Sequence, residues 1–206
     1  MNVSLRTKIL ARNLAASAAF LLTGCATPTT ELAQLPSGAW ALDAAHSSVT
    51  WQVRHMGLSL YTARFEAISA SLNFDADDPT ASQLTALIEA ASVSTGDPDF
   101  DDVLRESWLQ ADRHPQITFT STRIEQTSDT RGIVTGMLSL NGRQMETSMQ
   151  VEFYGGLYNF LEGRNALGFS GEMTIDRSDF SIGNLPTTIV GHDVDIHIEA
   201  EFLQQE

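Results

Sequence analysis

The side chains with which this chain could move protons or hold a metal near neutral pH are its five histidines, His46, His55, His114, His192 and His197. They are scattered, with no pair at the spacing that sets two ring nitrogens on one helix face. His192 and His197 are five apart, which sends them to opposite faces of a strand unless a bulge intervenes. His55 falls in phase with Val49, Trp51 and Val53 and is therefore expected to reach the interior. The acids Asp75, Asp77 and Asp78, then Asp97, Asp99, Asp101 and Asp102, then Asp193 and Asp195, read as turn, helix-cap and surface residues. Residues 75–79 lack the glycine and distal glutamate of a calcium-binding loop. No serine sits in a Gly-x-Ser-x-Gly turn, because Phe169-Ser170-Gly171 lies within an alternating stretch. Gly155-Gly156 opens no helix and is read as a turn at a strand end. Neither catalysis nor a tightly bound metal or cofactor is expected from these residues.

Cys25 is the only cysteine, so an intramolecular disulfide and a cysteine-based zinc site are both excluded. Arg6, Lys8 and Arg12 precede the apolar run LAASAAFLL and the small residues Thr23-Gly24, the pattern of a secretory signal. The apolar run is too short to span a hydrocarbon core of about 30 Å. Leu22-Thr23-Gly24-Cys25 resembles the lipobox of bacterial lipoproteins. That resemblance implies cleavage before Cys25, acylation of its sulfur and new amine, and attachment to a membrane through the acyl chains. In a Gram-negative host, Ala26 in place of aspartate implies the outer membrane, facing the periplasm. Residues 1–24 are thus expected to be a signal peptide, and residues 25–38, polar and with two prolines, a short tether.

Twelve basic residues face twenty-six acids, a net charge of −14. Loss of residues 1–24 removes three of the twelve, leaving nine arginines against twenty-six acids, a net charge of about −17. Such a surface repels phosphate backbones, so no nucleic-acid partner is expected.

From Trp40 onward the pattern has period two. Val49, Trp51 and Val53 alternate with polar residues, as do Met145 to Phe153, Leu167 to Ile175, and Val194 to Phe202. This predicts half-buried antiparallel strands. Asn141-Gly142 between two alternating runs is the strongest hairpin signal. Near Ala67 the phase slips, which predicts a bulge. One amphipathic helix is predicted over about residues 98–112, opened by Asp97-Pro98 and carrying Phe100, Leu104 and Trp108. About eight long strands with one helix suit an all-β, closed antiparallel barrel over residues 39–206, since closure removes exposed edges. Parity puts Val49, Trp51, Val53, Phe65, Phe119, Leu138, Met149, Val151, Phe169 and Met173 inside, as a core or as the wall of an apolar ligand site.

Residues 40–202 resemble the YceI-like family of polyisoprenoid-binding, lipocalin-like periplasmic proteins. The matching pieces include WALDAAHSSVTWQVRHMG, FDADDP, ASVSTGD, WLQADRHPQITFTS, GMLSLNG, TIDRSDFSIG and VGHDVDIHIEAE, in order. The resemblance implies an extended eight-stranded lipocalin-like barrel whose pore holds a polyisoprenoid chain or a quinone tail, and it admits a homodimer. Arg177, Asp179 and Phe180 match the family's R-x-D-F element and His46-Ser47 its H-S element, both implied to organise the barrel. Two positions depart from the pattern: Arg64 stands in a segment where a glycine is usual and is expected to narrow one end of the pore, and Ser181 replaces another glycine. The alternative is an adaptor lipoprotein with a filled barrel, whose acidic exterior binds another envelope protein.

Overall fold

The structure, a computed structural model, describes residues 27–206. The signal peptide and Cys25 lie outside the described residues. Eleven strand segments form one antiparallel sheet: β1 (Gly38–Leu42), β2 (Ser48–His55), β3 (Ser59–Phe65), β4 (Ile68–Phe74), β5 (Gln83–Glu89), β6 (Val93–Ser94), β7 (Gln116–Gln126), β8 (Arg131–Leu140), β9 (Arg143–Asn159), β10 (Arg164–Asp176) and β11 (Val190–Gln204).

The first six segments are three strand paths, each broken once. β1 and β2 pair with successive stretches of β11, and on their other side with β4 and β3. Counted by path, eight strands run up and down, and the pairing of β1 and β2 with β11 closes the barrel. The break between β3 and β4 falls at Glu66-Ala67, where the alternation slips. Glu66 N–H donates to Ser92 O and Ala67 O accepts from Glu89 N–H, so both residues stay hydrogen-bonded while the strand bends. The bend between β1 and β2 is tied by Ser47, 8% exposed, whose hydroxyl accepts from Glu201 N–H at 3.0 Å.

The β8–β9 turn is Asn141-Gly142, with φ +51° and +73°, the two positive values that a two-residue hairpin of this hand requires. Gly155-Gly156 is no turn. Both residues lie inside β9, where Gly155 has φ +119° and a Cβ would stand 2.8 Å from Thr29 O. The pair permits a close approach of residues 28–29, which take the place beside β9 that the β7–β8 hairpin is too short to fill. Thr29 and Gly156 exchange both backbone hydrogen bonds, at 2.8 and 2.9 Å. The stretch read as a tether is therefore docked from Thr29 onward, and Leu32 and Leu35 pack on the apolar cluster at that end.

The helix is shorter and less regular than its sequence pattern. α1 (Pro98–Val103) is capped by Asp97, whose carboxylate accepts from Asp99 N–H at 3.1 Å. Leu104–Trp108 then widens into a π-turn, closed by Leu109 N–H on Leu104 O at 2.8 Å. A five-residue turn brings Leu104 and Leu109 to the same side, whereas an α-helix would spread them apart. Both are buried, at 3% and 7% exposed.

Candidate functional site

The inward faces of the strands enclose an apolar cavity of about 340 Å³, at the lower end of the range of roughly 300–1,000 Å³ that small-molecule sites occupy. It runs from the π-turn after α1 at one end, with Leu104, Trp108 and Leu109, to Leu32, Leu42 and the β7–β8 turn at the other. All ten residues that strand parity assigns to the interior, Val49, Trp51, Val53, Phe65, Phe119, Leu138, Met149, Val151, Phe169 and Met173, lie on its wall. Aromatic rings line the end nearer Leu32: Phe169 packs 5.0 Å from Phe153 and 6.0 Å edge-on from Phe202. At the α1 end Phe100 stands between Tyr61 and Trp108, with centroids 5.7 and 6.0 Å away.

Sequence reasoning missed the contributions of Leu109 and Leu32. Leu109 depends on the π-turn, and Leu32 on a docking that composition does not signal. Arg177 was indicated only through the family element. It is 3% exposed and lines the cavity, yet no carboxylate among the described residues pairs with it. Instead its five N–H groups meet five carbonyl oxygens: Nε on Gly191, Nη1 on Ile182 and Gly183, Nη2 on Leu185 and Val190. The guanidinium thereby fastens the long β10–β11 connection across the end of the barrel. Phe180 in the same connection is 1% exposed, and its carbonyl accepts from Asn141 Nδ2 at 3.0 Å. Ser181 holds φ +53°, a left-handed conformation that accounts for glycine at the corresponding family position.

Two expectations are corrected. His55 is the last rung of β2, paired with Val190 and Ser59 at the rim, and its ring is exposed because no further wall covers it. Arg64 points outward and pairs with Glu66 at 3.2 Å, so it does not narrow the pore; Ala63 and Phe65 on either side of it are the buried residues. The bulge that the spacing of His192 and His197 left open is present: β11 is irregular between Val190 and Val194, and both rings lie on one side, at 44% and 45% exposed.

His46 and Asp43 do meet, outside the barrel at the β1–β2 bend. His46 Nδ1 lies 2.8 Å from Asp43 Oδ2, and with Glu201 they bring three ligand-type atoms within 4.8 Å of one another. Asp43 and His46 are already bonded to each other, and the hydrogen bond is the larger influence on both. It lifts His46 above its usual value, aided by the charges of Asp43 and Glu201, and draws Asp43 below the usual carboxylate value. A raised histidine stabilises the fold fully below its unfolded pKa and loses that contribution as pH climbs through the folded one. A lowered aspartate stabilises above its unfolded pKa and loses the contribution as pH falls through the folded one. The tie is therefore complete between about pH 4 and 6.5. An NMR titration should place the His46 midpoint above 6.5, and Asp43→Asn should return it toward 6.5. An unmoved midpoint in that variant would remove Asp43 as the cause.

A closed antiparallel barrel around an apolar cavity, with one end fastened by a buried arginine, defines a lipocalin-like class of protein. Residues 40–202 match the YceI-like domain, and the chain belongs to that family. A UPF0312 protein of Shewanella oneidensis is 31% identical over 141 residues, spanning 68% of this chain and 73% of its own length. The crystal structure of Burkholderia cenocepacia BcnA superposes with a TM-score of 0.69 at 27% identity, over 78% of this chain and 98% of that one. A polyisoprenoid-binding domain from Saccharophagus degradans, implicated in plant cell wall breakdown, shares the fold at a TM-score of 0.58 and 15% identity, over 82% of this chain and all of that one.

Proposed function

We propose that this protein binds an apolar, isoprenoid-type lipid in its barrel, as a carrier, sensor or protective store, without catalysis. The observation that carries the reading is the cavity, whose wall is apolar along its length from Trp108 to Phe202. Burial of each methylene of a bound chain contributes about 0.8 kcal/mol. A lipid of that kind cannot cross an aqueous compartment unshielded, and a closed barrel supplies the shield. The polyisoprenoid-binding domain that shares the fold supports the same class of ligand. The lipobox-like sequence at Cys25 supports a protein held by acyl chains to the outer membrane and facing the periplasm. No helix among the described residues is long and apolar enough to cross a membrane.

The test is mass spectrometry of the organic extract from natively purified protein. The sample is a Cys25→Ala variant exported by a signal without a lipobox, so that no covalent acyl chain contributes. A polyprenyl or quinone species at about one per barrel is the expected result. A folded protein yielding no lipid, even after incubation with polyprenyl lipids, would move the reading to an adaptor that binds an envelope protein through its acidic exterior.

A further inference from the structure

The β9–β10 hairpin carries exposed apolar surface, with the Tyr154 hydroxyl donating to Glu199 Oε1 at 3.4 Å. Phe160 and Leu161 at its tip are 77% and 80% exposed, and Tyr154 and Tyr158 along β9 are 50% and 57% exposed. The chain coming from Cys25 reaches the barrel at this same end. Thr29 is bonded to Gly156 through both backbone groups, and Pro28 lies beside Gly155. The described chain begins at Thr27, two residues after Cys25 in the sequence. Gly156 is four residues before Phe160, about 13 Å along an extended strand. The described chain therefore begins at the same end as the apolar tip, the Leu32 end of the cavity. The other exposed apolar tip, Met56 and Leu58 at 55% and 84%, lies at the α1 end, away from the anchor.

We propose that Phe160 and Leu161 insert into the bilayer that holds the acyl chains of Cys25, standing the barrel on its Leu32 end. The inference rests on acylation of Cys25. The acyl chains supply the attachment and the tip supplies the orientation, with Tyr154 and Tyr158 placed to sit among the headgroups, where an apolar ring with a polar hydroxyl is favoured. Glu162, Glu201 and Asp43 near this end disfavour a strongly anionic surface, so the partner is a mostly zwitterionic, phosphatidylethanolamine-rich bilayer. In this pose a lipid passing between bilayer and cavity meets Leu32 and Leu35 rather than bulk water.

The test uses the acylated full-length product in vesicles of phosphatidylethanolamine with a minor phosphatidylglycerol fraction. With Cys25 acylated, a cysteine introduced by Phe160→Cys or Leu58→Cys is the only free thiol, and each takes a spin label. Collision with oxygen and with a water-soluble nickel chelate reads the depth, and mass spectrometry of the same sample reads the acylation. The expected result is a label at position 160 about 5–10 Å below the phosphates and a label at position 58 in water. Acylated protein with the position 160 label in water, or with both labels in lipid, overturns the end-on insertion and leaves the anchor standing. A Cys25 without acyl mass overturns the anchor and the insertion together.

Discussion

Replacing Arg177 by methionine is expected to lower the unfolding free energy by at least about 3 kcal/mol, a large part of what a domain of this size possesses. Methionine fills much of the same volume, so the cost isolates the polar loss. Five carbonyl oxygens that now accept from one guanidinium would lose their donor, and those of Val190 and Gly191 sit where strand β11 begins. Water can reach the outer part of the connection, where residues 184–189 are exposed; Ile182, Gly183 and Gly191 are half-buried and Val190 is buried. Lysine should fall between the two, because three donors on one nitrogen cannot reach five acceptors set around a planar fork. Urea unfolding measures the difference, and hydrogen exchange at residues 182–191 localises it. A methionine variant within about 1 kcal/mol of the parent would mean that water replaces the guanidinium at little cost.

Much of the wall of the cavity was legible in the sequence because a strand writes its inward face at every second residue. That rule alone places Met149, Val151, Phe169 and Met173 on the inward face, and the structure puts all four on the cavity wall, with Val151 opposite Gly171. The hairpin at Asn141 was legible for a separate reason, its two positive φ values. What escaped depends on contacts that no local period encodes. The docking of residues 29–35 hangs on one backbone pair at Gly156, and polar, proline-containing composition looks the same whether the segment is docked or free. The π-turn gives the Leu104–Trp108 segment a five-residue closure, although its residues fit a helix of ordinary period equally well. His55 misled because parity predicts a face and cannot say where the wall ends. Arg177 was legible only by family resemblance, since an isolated arginine beside a serine and two aspartates otherwise reads as surface.

Substitution of Met149 by aspartate is expected to abolish retention of an apolar ligand, with an affinity loss of at least about 100-fold. Met149 is 6% exposed, faces the cavity, and stands against Gly171, where a Cβ would come within 2.7 Å of its sulfur. A carboxylate there must either stay hydrated, bringing water among the isoprene units, or take up a proton, and either course costs several kcal/mol. At 1.4 kcal/mol per factor of ten, about 3 kcal/mol already accounts for the 100-fold loss. Because this variant also burdens the fold, Val151→Trp supplies the independent arm. Val151 is only half-buried and lines the same cavity, so a larger ring there occupies ligand space without introducing charge. Titration with a fluorescent polyprenyl analogue, paired with a melting curve for each variant, separates the two effects. If both variants fold and bind as the parent does, the ligand lies outside the barrel and the cavity is a core defect. If Val151→Trp alone loses binding at unchanged stability, the interior is the site, and the chain of the ligand threads past β9 at this position.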